Sequence, residues 1–163
     1  MEVEILKSED HLEIESLQGA IQAKRYLEQL LTYADGGLLE HDIIKTINKK
    51  LFYSFKGQYS NHHRMTTYKG HVNARMQTII DRFNEKCCYQ NTVSEALAEF
   101  VFDFLEIHPF SDGNGRTVKF IVWYALKGFK RLNTFYCLDY HLWCEIIHHN
   151  RYKSMLEWLE NMQ

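Results

Sequence analysis

The sequence is poor in proline, with one among 163 residues, holds no long uninterrupted apolar run, and leans to neither sign of charge. Each absence excludes something. A membrane-crossing helix needs roughly 18 consecutive apolar residues, and no stretch supplies them. The acidic opening MEVEILKSED is the reverse of the basic and then apolar start of a secretory signal, so a soluble, cytoplasmic protein with no membrane partner is expected. With 19 Lys and Arg against 21 Asp and Glu, the formal charge of -2 lacks the basic surplus of a protein held on phosphate backbones, and no nucleic-acid partner is expected.

The four cysteines, Cys87, Cys88, Cys137 and Cys144, form no CxxC. They read as free thiols in a reducing compartment rather than as a zinc knuckle. The pairs His62-His63 and His148-His149 likewise have no cysteine or carboxylate at ligand spacing. What remains is ordinary globular composition, 45% hydrophobic and 25% charged, at a length that buries a real core. No repeat, low-complexity tract or linker interrupts it, so residues 1–163 read as a single domain with N-terminal helices to about residue 50 and a core beyond.

Apolar residues recur at helical spacing through most of the chain. Leu12, Leu17, Ala20, Ala23, Leu27 and Leu31 mark a first helix stopped by Asp35-Gly36-Gly37, and Leu39, Ile43, Ile44, Ile47 and Leu51 mark a second. The period lapses between Gly57 and Gly70, where Thr66, Thr67 and Tyr68 favour a short extended stretch. It returns at Met76, Ile79, Ile80 and Phe83. Thr92-x-x-Glu95 then has the form of a capping box, opening a helix whose apolar residues, from Val93 to Leu105, cover more than one face and place it at the centre. Pro109 pushes the residue before it out of the α region, so this helix ends near Ile107 or His108. A further helix runs from about Gly115 to Lys127, and amphipathic segments follow at Tyr140–His149 and Tyr152–Asn161. The predicted class is all-α.

The single proline and two of the eight glycines fall within HPFSDGNGRT, His108 to Thr117. A tight turn between helices accounts for glycine and asparagine, but a turn needs no His, Asp and Arg around it. A helix opening at Gly113-Asn114-Gly115 presents unpaired N–H groups and the positive end of its dipole, with no side chain in the way at the glycines, which is an anion site. Arg116 adds a fork suited to phosphate oxygens, and Lys119 lies on the same helical face. Asp112 suits Mg2+, which takes one carboxylate and fills its remaining positions with phosphate oxygens and water. His108, at the end of the preceding helix, is placed as a general base, and Phe110 between the two polar residues anchors the loop on the core.

This stretch, with Val118-Lys119, resembles the Fic family motif HxFx(D/E)GNGRxxR at every specified position but the last, where Lys119 replaces arginine. The likeness extends to Gly57-x-Tyr59 and Thr66-Thr67-Tyr68-Lys69-Gly70, similar to the segment that ends in the family's target-docking flap, and to the closing helices from Asp139 to Leu159. Ser60 stands where many members have arginine. The resemblance implies an all-α Fic-type bundle with a short β-hairpin flap, and transfer of AMP from ATP, with Mg2+, to a Ser, Thr or Tyr hydroxyl of a target protein. It implies His108 as base, Asp112 as Mg2+ ligand, Gly113, Asn114, Gly115, Arg116 and Lys119 on the phosphates, Tyr140 on the base, and Thr66, Thr67, Tyr68 and Gly70 as the flap that receives the target by strand addition.

Alternatives within the family are transfer of UMP, a phosphoryl group or phosphocholine, and removal of AMP; outside it stands an idle binding module of the same fold. Many members silence themselves with [S/T]xxxE(G/N), and no Ser or Thr here is followed by Glu at that spacing. The nearest counterpart, Ile14-x-x-x-Gln18-Gly19, has lost the hydroxyl and the charge, and Lys119 alters the other end of the usual ion pair. Gln18 thus reads as a degenerate inhibitory position, with activity either unrestrained or set by a separate regulatory partner or homodimer.

Overall fold

The computed structural model describes residues 14–33, 37–52, 57–60, 71–90, 93–129, 146 and 152–161. Six α-helices fall in that range: α1 Ile14–Tyr33, α2 His41–Leu51, α3 Val72–Glu85, α4 Val93–Ile107, α5 Asn114–Gly128 and α6 Tyr152–Asn161, with a short π-helical segment, Lys86–Gln90, continuing α3. The fold is all-α. The expected hairpin flap, Thr92 of the expected capping box, and residues 140–145 and 147–149 lie outside the described residues. No helix among the described residues is long and apolar enough to cross a membrane.

The core is one contiguous cluster. In α4, Val93, Ala96, Leu97, Ala98, Phe100, Val101, Phe104 and Ile107 are buried, which is more than one stripe. The reason is that α3, α5 and α6 all pack against it. α5 is buried without interruption from Thr117 to Leu126, because α4 meets it on one side and α1 and α2 on another. Covering a Phe or Leu side chain in such a core contributes about 1.5–3 kcal/mol, so this pair of helices anchors the fold.

Residues 108–113 join the two central helices, and the core's aromatic residues run towards that connection. Phe83 meets Phe100 at 5.7 Å between ring centroids, Phe100 meets Phe104 at 5.8 Å, Phe104 meets Phe110 at 6.4 Å, and Phe110 meets Tyr59 at 5.4 Å. The loop is thereby tied to rigid elements at its most apolar residue. The adjacent thiols diverge, Cys87 buried and Cys88 exposed, and burial, with Cys88 beside it, pushes the Cys87 thiol up to about 12.

Candidate active site

α4 ends at Ile107, and the chain turns at once. His108 has a φ of 54°, in the left-handed region that a non-glycine residue rarely enters, and its N–H donates to Phe104 O at 2.9 Å. The sequence places this residue, before a proline, outside the α region with the helix ending beside it, and so it stands: the helix ends at Ile107 and His108 closes it as a left-handed cap. Pro109 O next accepts the N–H of Ser60 at 2.7 Å, which holds residues 57–60 along the loop.

Phe110 is buried, and its backbone is bonded to the Asn114 side chain in both directions. Asn114 Oδ1 accepts the Phe110 N–H at 2.9 Å and Asn114 Nδ2 donates to Phe110 O at 2.8 Å. The Asn114 amide therefore closes the loop on itself, leaving its main chain to any ligand. Asp112 is exposed, and its Oδ1 accepts the N–H of Gly113 at 2.7 Å.

Gly113 caps α5 with a φ of 77°, and a Cβ there would stand 2.0 Å from Cε2 of Phe52, so neither the conformation nor the space admits a side chain. Gly115 differs. A Cβ there would meet nothing within 4 Å, so the helix start opens onto free space. That space is a cavity of about 300 Å3 lined by Phe52, Leu105, His108, Ser111 and Asp112 to Arg116. The structure thus brings His108, Asp112, Gly113, Asn114, Gly115 and Arg116 together around one opening. Lys119 is buried and is not among the lining residues. Tyr140, Thr66, Thr67, Tyr68 and Gly70 lie outside the described residues. Gln18 is exposed on α1, next to Gly19, whose absent Cβ would lie 2.7 Å from Leu51 O at the end of α2.

The surroundings of the loop include residues that pattern reading passes over. On α2, His41, Lys45 and Asn48 follow one another at helical spacing, and Phe52 caps its end. His41 Nδ1 is 2.7 Å from the Tyr59 hydroxyl and Nε2 is 2.8 Å from Gln77 Oε1, while Gln77 Nε2 donates to Asp81 at 2.7 Å. Because the carboxylate only accepts, the network assigns the imidazole proton to Nε2 and makes Tyr59 the donor to Nδ1. Burial, and secondarily the Asp42 carboxylate, raises the Tyr59 phenol well above its ordinary range, so it keeps that proton. Lys45 Nζ sits 4.5 Å over the Tyr59 ring. Asn48, fully buried, donates Nδ2 to Asp112 O at 3.1 Å and to Thr117 Oγ1 at 3.2 Å. One signal for Asn48 was present: an amide in an apolar stripe of Ile44, Ile47 and Leu51 needs a partner.

Mg2+ can be tested against this donor set. No group of three or more His, Cys, Asp or Glu side chains is gathered among the described residues, so no all-protein cage exists there. One exposed carboxylate, Asp112, beside a helix start with open space at Gly115 fits an ion that shares its ligands with phosphates and water.

Similar solved structures confirm the architecture. A Fic domain-containing signalling protein from Bacteroides thetaiotaomicron superposes with a TM-score of 0.71 at 17% identity, over 94% of this chain and 70% of that one. Fic-1 from C. elegans superposes with a TM-score of 0.73 at 16% identity, over 94% of this chain, which spans half of that one. Identities this low show the fold alone. None of the curated proteins matches the chain in sequence at a significant level. The Fic/DOC family model matches residues 38–126, over half the chain, which takes in α2 to α4, the whole loop and α5 as far as Leu126 and supports a Fic-type transferase in general; the chain belongs to the Fic/DOC family.

Proposed function

We propose that this chain is a protein adenylyltransferase, moving AMP from ATP to a Ser, Thr or Tyr hydroxyl of a target protein. The observation that carries the reading is the cavity in which His108 faces the start of α5, with open space at Gly115 and Arg116 on the wall. The first-turn N–H groups and the helix dipole favour an anion there, and Arg116 offers a fork for the outer phosphate oxygens. A lysine or other long side chain at position 115 would enter the space that the inner phosphates need.

In this reaction His108 takes the proton of the target hydroxyl, whose oxygen attacks the α-phosphorus; the bond from that phosphorus to the bridging oxygen breaks and pyrophosphate leaves. Arg116 and the helix start hold the departing charge. Mg2+ held by Asp112 and the phosphates would neutralise part of that charge when bound. His108 then loses its proton to solvent. The left-handed backbone at His108, held by the Phe104 carbonyl and flanked by Pro109, whose carbonyl accepts the Ser60 N–H, keeps this residue on the cavity lining.

Regulation follows from the same residues. Gln18 carries no charge to pair with Lys119, so α1 supplies no inhibitory ion pair at that position, and control falls to a partner or is absent. The donor is tested by incubating the chain with Mg2+, a cell lysate, and ATP labelled at the α- or the γ-phosphate, with α-labelled UTP alongside. Protein-bound label from α-labelled ATP alone is the expected result; label from γ-labelled ATP would establish phosphoryl transfer instead.

A further inference from the structure

Arginine brings a long, flexible side chain to the cavity, and ordering it on a phosphate costs rotamer entropy unless something orders it beforehand. Phe52 is in place to do so. Its ring lies with the Arg116 Cζ 5.3 Å from its centroid, within cation–π range, and both residues line the cavity. The ring is held from three directions. It is partly buried on the core, its edge fills the space left by the missing Cβ of Gly113, and the backbone that carries it is fixed by the Phe52 N–H donating to Asn48 O at 3.0 Å as the chain leaves α2 in extended backbone.

A guanidinium resting on a ring face keeps its N–H donors in its own plane, free of the ring and directed sideways. That is the geometry in which the fork meets phosphate oxygens. We infer that Phe52 is the positioning residue for Arg116, and that the pair sets the preference of the site for a nucleoside triphosphate over a monophosphate. Phe52 needs no contact with the nucleotide for this role. Its substitution should act on the part of the affinity that comes from the outer phosphates and leave the rest. The inference rests on the reading of the cavity as a phosphate site.

Binding of ATP and of AMP, each with Mg2+, is measured by titration calorimetry on the full chain, without need of a target protein. Two variants are compared with the parent: Phe52→Met, which keeps apolar bulk without a ring, and a ring-fluorinated phenylalanine at position 52, which keeps the shape and weakens the ring's negative face. Both should weaken ATP binding about fivefold while AMP affinity stays within about twofold, and neither should weaken ATP further in an Arg116→Ala background. Equal weakening of ATP and AMP, or an undiminished effect in Arg116→Ala, would overturn the role. So would a parent-like preference for ATP in the fluorinated variant, which leaves the phosphate site standing and removes Phe52 from it. A parent chain with no preference for ATP over AMP would instead overturn the phosphate-site reading, and this inference with it.

Discussion

The side-chain amide of Asn114 is bonded at both of its ends to the main chain of Phe110, accepting at 2.9 Å and donating at 2.8 Å across the loop that joins the two central helices. The pair makes the loop a closed unit whose shape does not depend on a ligand. Asn114→Ala leaves two buried backbone groups unpaired and should cost about 2–4 kcal/mol of stability. Asn114→Asp keeps the acceptor but turns an oxygen towards Phe110 O, so it should be at least as damaging. Chemical denaturation of the two variants checks both; a loss below about 0.5 kcal/mol in each would contradict the bonding.

Gly113 and Gly115 stand two residues apart and predict opposite outcomes. Gly113→Ala meets the Phe52 ring and a left-handed backbone, so it should lower the melting temperature. Gly115→Ala enters open space in a helical turn and should leave the melting temperature unchanged or slightly raised. Its methyl group nonetheless enters the cavity, and transfer should fall roughly tenfold or more, since small misplacements at a reacting centre are costly. Thermal melts paired with rate measurements separate the two effects.

Gln18→Glu restores a carboxylate where the family's inhibitory glutamate is expected. The neighbouring Gly19 packs α1 against the end of α2, where a Cβ would lie 2.7 Å from Leu51 O. Transfer should drop about fivefold, the worth of a modest ion pair. An unchanged rate would remove Gln18 from that position.

The α4 carboxylate Asp103 gives a pH dependence. Burial raises its pKa above 3.8, against the opposing pull of Arg82, whose Nη1 lies 3.2 Å away. A carboxyl group held above its unfolded value binds its proton more readily in the folded state. Its charged form therefore weighs against the fold at neutral pH, and the penalty is relieved as pH falls through the raised value. Asp103→Asn should accordingly compare more favourably with the parent at pH 7 than at pH 4. The melting-temperature difference between variant and parent, followed across that range, should change in this direction.

Much of this architecture was legible beforehand because it rests on local signals. The period of Ile44, Ile47 and Leu51, the many-sided apolar surface of α4, and the proline after His108 each report on their own helix. The loop motif was legible for the same reason, as ten consecutive residues. The supports of the loop were not, since they come from α2 and residues 57–60, roughly 50 to 70 positions earlier in the chain. His41 and Lys45 look like the polar side of an amphipathic helix until Tyr59 is brought against them, and Asn48, in the apolar stripe, signals a need for a partner without naming Asp112 or Thr117. Asn114 shows the complementary limit. Its residue type fits a phosphate cradle and a loop staple equally, and only the distances to Phe110 give its side chain the second task.

The central claim is that His108 acts as the base in a transfer of AMP, and one comparison tests it most directly. The purified chain and its His108→Ala variant are each incubated with Mg2+, α-labelled ATP and a cell lysate, with ATP binding to both measured by calorimetry. Protein-bound label from the parent, a loss of about a hundredfold or more in the variant, and ATP affinity little changed between them is the predicted result. Equal labelling by the two proteins would contradict the account.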